Sequence, residues 1–150
     1  ATADTVVRLA GVIAPPVDIQ RIVEMLEVPI RLVADPGWYG AVAFDTHMAV
    51  IWIREGDPPL RQRFTIAHEI GHLLLHPAGV TYRDDTFAGT PFEQEANDFA
   101  ANLLMPAWML GPLALELRGD ADLLAGLFEV AREAMQYRLR SVGLATAWGA

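Results

Sequence analysis

Cysteine is absent from this 150-residue chain. Disulfides and thiolate metal ligands are therefore excluded, and histidine, aspartate and glutamate remain as its strong ligands. The absence also fits a reducing, cytoplasmic setting. Positive charge is scarce: 11 Lys and Arg stand against 19 Asp and Glu, for a formal charge of −8. Such a surface repels phosphate backbones on average, so direct nucleic-acid binding is not expected. Long apolar runs are missing too. The longest uncharged stretch, residues 99–115, contains Asn102, Pro106, Gly111 and Pro112 and falls short of the ~20 residues of a membrane span. It reads as a buried helix, a turn and a second helix, with no membrane role. The first 18 residues hold Asp4 and Arg8 and no unbroken apolar core, so they do not read as a secretory leader. No repeat and no low-complexity linker divides the chain. With 53% hydrophobic residues, residues 1–150 are expected to fold around one core.

Ile19, Ile22, Val23, Leu26 and Val28 fall near one stripe after Asp18, a suitable N-cap, which predicts an amphipathic helix. Residues 39–44 and 48–53 are rich in aromatic and β-branched types and flank Asp45-Thr46-His47, a hairpin signal. With a strand near residues 30–33 they suggest a sheet of about three strands. Asp57 as cap and Pro58 at the first helical position should start a helix that ends at Pro77. Thr90 and Glu93 have capping-box spacing and open a helix that Pro106 ends. Two or three short helices follow, broken at Gly111-Pro112 and Gly119-Asp120. Helix, sheet, then helices is the order of an α+β domain.

The chemistry is concentrated in His68-Glu69-Ile70-Gly71-His72, an HExxH motif on a predicted helix. Residues i and i+4 lie ~40° apart around a helix and about 6 Å along it, so both imidazoles can reach one ion. Glu69 is turned ~100° away, a direction suited to a base acting on water beside the metal. A catalytic zinc site needs a third protein ligand, and His76, Asp84, Asp85, Glu93 and Glu95 are the candidates downstream. His76 lies ~12 Å along the axis from His68, too far to converge on the same ion; it reads as a polar residue closing the helix. Helical phase favours Glu93, whose face continues through Ala96, Asn97, Ala100, Ala101 and Leu104, a small apolar stripe able to pack on the motif helix. The Glu95 face carries Asp98 and Asn102 and looks wet. Asn97, one turn after Glu93, is placed to hydrogen-bond a ligand histidine.

The segments HEIGHLLLH and FEQEANDFAANLLMP, within residues 61–106, resemble the ImmA/IrrE family of metallopeptidases. Carried over residue by residue, the resemblance implies that His68, His72 and Glu93 hold the metal and that Glu69 is the catalytic glutamate, in agreement with the phase argument. It further implies a zincin-like core, a cytosolic bacterial or phage setting, and protein substrates that are Xre-type repressors. Cleavage of such a repressor would relieve repression in a stress response or in mobile-element control. Residues 121–144 look like the helix-turn-helix-like tail of many members, behind a peptidase core at 1–120. Ala131 stands where a serine is common, and alanine cannot make the capping hydrogen bond. These residues show no separate N-terminal Xre domain, so the chain reads as the peptidase domain alone.

The expected chemistry is zinc-dependent peptide hydrolysis with Glu69 as general base; a His₂Glu set also accepts manganese. Tyr82, His76, Arg63 and Tyr137 are all candidates to stabilise the oxyanion. Two non-catalytic alternatives stand beside this reading. One is a DNA-binding module using Arg132, Arg138 and Arg140; the other is a metal-stabilised domain that sequesters a repressor without cutting it.

Overall fold

The computed structural model describes residues 3–45, 47–83 and 89–144. Its order is α1 (Ala3–Leu9), α2 (Ile19–Met25), β1 (Ile30–Val33), β2 (Gly40–Phe44), β3 (Ala49–Arg54), α3 (Pro59–Leu75), β4 (Thr81–Arg83), α4 (Pro91–Leu104), α5 (Ala107–Glu116), α6 (Ala121–Phe128) and α7 (Arg132–Ser141). This is the expected α+β architecture.

Local chemistry explains most of the boundaries. Asp18 caps α2 by accepting the Arg21 amide at 3.0 Å. The Asp45 carboxylate accepts the amides of His47 and Met48 at 2.7 and 2.9 Å, which closes the predicted β2–β3 hairpin. That hairpin is antiparallel, and β1 adds to β3 in parallel. A fourth strand, β4, pairs antiparallel with β2 and completes the order β1-β3-β2-β4. The expected three strands omit β4, because three residues with only Tyr82 buried carry too little alternation to read.

Two start-and-stop signals work differently from expectation. Asp57 does not cap α3; its carboxylate instead accepts from Arg54 Nε at 2.8 Å. Pro58 stays extended, at ψ 154°, because Pro59 excludes its predecessor from helical geometry, and α3 begins one residue later. Gly111-Pro112 does not break α5, which runs through it. Proline there removes one hydrogen bond, while the missing Cβ of Gly111 relieves the clash that normally stops a helix before proline.

The core lies between α3, α4 and the inner face of the sheet, where Val42, Ile51, Ile53, Ile70, Ala96, Ala100 and Leu104 are buried. At Gly71, α3 lies close against α4. A Cβ at that position would stand 3.1 Å from both Ala96 Cα and Phe99 Cβ. The predicted small stripe of α4 therefore does pack against the motif helix.

After α5, Asp120 caps α6 by accepting the amides of Asp122 and Leu123. The turn into α7 takes Glu129 through the left-handed region at φ 53°. Ala131 occupies the α7 N-cap position without a side-chain hydrogen bond. The pair is tied to the body by Arg63, which donates to the Phe128 and Glu129 carbonyls, and by Arg138, which donates to Met105 O at 3.0 Å. Among the described residues no helix is long and apolar enough to cross a membrane.

Candidate metal centre

His68 and His72 project from successive turns of α3, with ring centroids 4.8 Å apart and planes at 82°. Glu93 enters from the first turn of α4. Its amide donates to Thr90 Oγ1 at 3.4 Å, one half of the predicted capping box. The other half, a side-chain return, is replaced by contacts across the helix pair: Glu93 Oε2 lies 2.9 Å from His68 Nε2, and Oε1 lies 2.9 Å from His72 Nε2. Ligand atoms of the three residues all fall within 4.8 Å of one another.

Each imidazole is held from behind. His68 Nδ1 is 2.8 Å from Asn97 Oδ1, and His72 Nδ1 is 2.8 Å from His76 Nδ1. A neutral imidazole that binds a metal through Nε2 carries its proton on Nδ1 and needs an acceptor there. Asn97 Oδ1 is such an acceptor. His76 is another when its own proton sits on Nε2, which faces Glu95 Oε2 at 3.8 Å. Burial pushes the His76 pKa down, with further help from His72, so the neutral form that can accept is favoured. Donor identity, convergence and outward-facing Nδ1 partners thus fit one divalent ion.

Electrostatics agree with the geometry. Burial pushes the Glu93 carboxyl up, but hydrogen bonds and charge from His68 and His72 outweigh it and hold the pKa at about 2. Glu93 is therefore an anion, as a metal ligand must be. Glu69 is fully buried next to Gly40, where an added Cβ would collide with Thr65 Cγ2 and stand 3.1 Å from Glu69 Oε1. Glycine at 40 is what lets β2 lie over that carboxylate.

A cleft of about 160 Å³ opens on the His68 side, lined by Tyr39, Arg61, Phe64, Thr65, His68, Glu93 and Asn97. Arg61 and Arg54 both stack on Tyr39, at 4.4 and 4.5 Å from the ring centre. The His72 side is closed: Tyr82 stacks on His72 at 4.8 Å and 11°, and Phe92 packs on His76 at 4.5 Å.

With this geometry in place, residues 30–140 match the peptidase family described as IrrE N-terminal-like domain. The chain belongs to that family. Its relatives include the radiation response metalloprotease IrrE of Deinococcus radiodurans, 42% identical over 76 residues, which are 47% of this chain and 23% of that protein. The Deinococcus deserti protein of the same name is 39% identical over 98 residues, 61% of this chain and 34% of that one. An uncharacterized immunity region protein 2 of Bacillus phage phi105 is 34% identical over 74 residues, 47% of each chain. A solved Mycobacterium tuberculosis transcriptional regulator shares the fold at a TM-score of 0.67 and 18% identity, over 98% of this chain and 48% of that one. The chain thus matches less than half the length of each of these proteins.

Among the residues singled out from sequence, His68, His72 and Glu93 converge, Glu69 lies beside them and Asn97 touches His68. Glu95 is half-exposed and faces His76 instead of the ligand group. Asp84 and Asp85 lie outside the described residues. Three of the four oxyanion candidates are engaged elsewhere: Tyr82 donates to Pro77 O at 3.0 Å, Arg63 to two carbonyls, and His76 faces His72. Tyr137 is 65% exposed and lines the next hollow with Asn97. Sequence reasoning missed Tyr39, Arg61, Phe64, Gly40 and Gly71. Only Gly71 carried a signal, a helix-interior glycine between the two histidine turns.

Proposed function

We propose that the chain is a zinc-dependent endopeptidase domain, with His68, His72 and Glu93 holding the ion and Glu69 acting as general base. Manganese is a second ion that this His₂Glu set accepts. The observation that carries the reading is the meeting of both Nε2 atoms with one carboxylate, each imidazole backed at Nδ1, and a buried glutamate beside them. A bound divalent ion supplies Lewis acidity, which makes water a better nucleophile and polarises the scissile carbonyl. Glu69 takes a proton from the attacking water at its carboxylate and delivers it to the leaving amine nitrogen. Asn97 and His76 fix the tautomers of His68 and His72. Tyr39, Arg61 and Phe64 form the walls along which the substrate enters.

The substrate we infer is a protein, an Xre-type repressor cut at a limited site in the cytoplasm, so that cleavage relieves repression in a stress response or in mobile-element control. Relatedness to a radiation response metalloprotease and to a phage immunity region protein supports that setting. Residues 1–120 would form the peptidase core and 121–144 its helix-turn-helix-like tail. The DNA-binding alternative loses ground on two of the three arginines it needs. Arg138 is buried on Met105 O, and Arg132 pairs with Asp122 at 2.9 Å.

The test is to incubate zinc-loaded protein with the repressor encoded nearest its gene and follow fragments by mass, with a mobility shift on the operator in parallel. Wild type should make one metal-dependent cut and give no shift. Glu69→Gln should keep wild-type metal content and lose about 10²–10⁴ in cleavage rate. Undiminished cleavage by Glu69→Gln would sink the mechanism. Repressor capture that is equal in both proteins, without cleavage, would leave a metal-stabilised binding module.

A further inference from the structure

Phe64 separates the metal cleft from a second, larger hollow of about 390 Å³. Its walls include Leu60 and Phe64 at the start of α3, Leu104 at the end of α4, and Val130 and Ala134 at the entry to α7. Arg61 is its one charged side chain, and that guanidinium stacks on Tyr39. Arg61 and Phe64 line both hollows, and the Phe64 ring centre is 6.3 Å from that of His68. The two hollows therefore share a wall, and a chain seated over His68 and Glu93 lies beside the apolar pocket. On the other side, a hollow that also touches Phe64 and Ala134 is of mixed character, with Gln94, Asn97, Asp98 and Tyr137 as its polar wall.

We propose that the apolar pocket is a specificity subsite that takes the large aliphatic side chain of the residue flanking the scissile bond. The inference rests on the metallopeptidase reading above and adds a substrate preference to it. The volume readily admits a large side chain, and the lining offers dispersion and desolvation instead of polar pairing. Part of the wall belongs to α7 and the turn before it, so the C-terminal helix pair contributes to peptide selection. The absence of a capping side chain at Ala131, which lines the same pocket, keeps that wall apolar.

Hydroxamates separate this proposal from the reading it rests on, because the metal anchors the head group and the tail samples the pocket. Isothermal titration of the zinc-loaded protein would use acetohydroxamate, 4-methylpentanohydroxamate and a succinamic hydroxamate of similar length but polar tail. Each methylene buried in an apolar site contributes roughly fourfold. The branched tail should bind at least about tenfold tighter than acetohydroxamate, and the polar tail should show no such gain. Ala134→Leu, which narrows the pocket, and Leu60→Ser, at a position already 44% exposed, should each cut the gain to under about threefold while acetohydroxamate binds as before. No gain in wild type, or a gain intact in both variants, overturns the subsite and leaves the metal site standing. Failure of acetohydroxamate itself to bind the zinc-loaded chain overturns the metal reading, and the subsite with it.

Discussion

His68 and His72 occupy adjacent turns of one helix in opposite surroundings. His72 is buried against Tyr82 and His76, on which Phe92 packs, whereas His68 borders an open cleft and is backed by Asn97 on the exposed side of α4. The same ligand chemistry thus has a dry half, suited to holding an ion, and a wet half, suited to admitting a peptide. Desolvation strengthens a hydrogen bond and raises the cost of leaving one unmade. The dry half should therefore dominate metal affinity, and the wet half turnover.

The largest loss of affinity should come from the residue that joins the halves. Glu93→Gln removes the anion shared by both imidazoles, and a chelator competition should read a loss greater than the roughly 10–100-fold expected of any outer partner. Retention of wild-type affinity would place the third ligand elsewhere. The pH dependence of the ion-free protein offers a second check. The folded-state pKa of Glu93, about 2, lies below the ordinary carboxyl value of 4.5, so ionised Glu93 contributes stability fully present above that ordinary value and lost as pH falls toward 2. Wild type and Glu93→Gln should converge in denaturant midpoint across that window.

Next in size is the contrast between the two backing groups. His76→Ala should weaken metal binding by about 10–100-fold at unchanged stoichiometry, because it strands the Nδ1–H of His72, a fully buried residue. His76→Asn, whose amide oxygen falls near the place of Nδ1, should recover part of the loss. Asn97→Ala should cost less affinity, about tenfold or below, since water can reach the exposed side of His68 and take over as acceptor. Equal losses at the two positions would remove the distinction between a dry and a wet half.

Gly71→Ala probes the seam between these halves. A methyl group there must push α4 back by a few tenths of an ångström against backbone, at a cost of roughly 1–3 kcal/mol, while alanine returns up to about 1 kcal/mol of helix propensity. A modest net drop in denaturant midpoint and a severalfold loss of metal affinity are expected together. A more stable variant with unchanged affinity would show that the seam has slack.

What the sequence made legible follows from how local each signal is. HExxH and the Glu93 phase were readable because both depend on the angular period of a single helix, and that period survives folding. The helices after Asp18 and Thr90 were readable for the same reason, since each has its cap within three residues. Gly40 over Glu69, Tyr82 on His72, and the Arg61–Tyr39 stack depend on how β2, β4 and α3 meet, and no spacing along the chain encodes that. Proline signals misled where neighbours changed their meaning: Pro59 excluded Pro58 from the helix, and Gly111 let α5 run through Pro112.

The smallest expected effect concerns Glu95, the outermost group behind His72. Its carboxylate lies 3.8 Å from His76 Nε2 with the side chain 54% exposed. That distance exceeds a hydrogen bond, and exposed ion pairs typically contribute about 0–1 kcal/mol. Water can replace the carboxylate as the acceptor of the His76 proton, so the tautomer that serves His72 does not depend on it. Glu95→Gln should thus change chelator-competed metal affinity by no more than about threefold, and the change should fade with added salt because the pair is solvent-screened. A loss as large as that of His76→Ala would mean that Glu95 is needed to set the His76 tautomer, and the dry half would then extend one residue further out than its burial indicates.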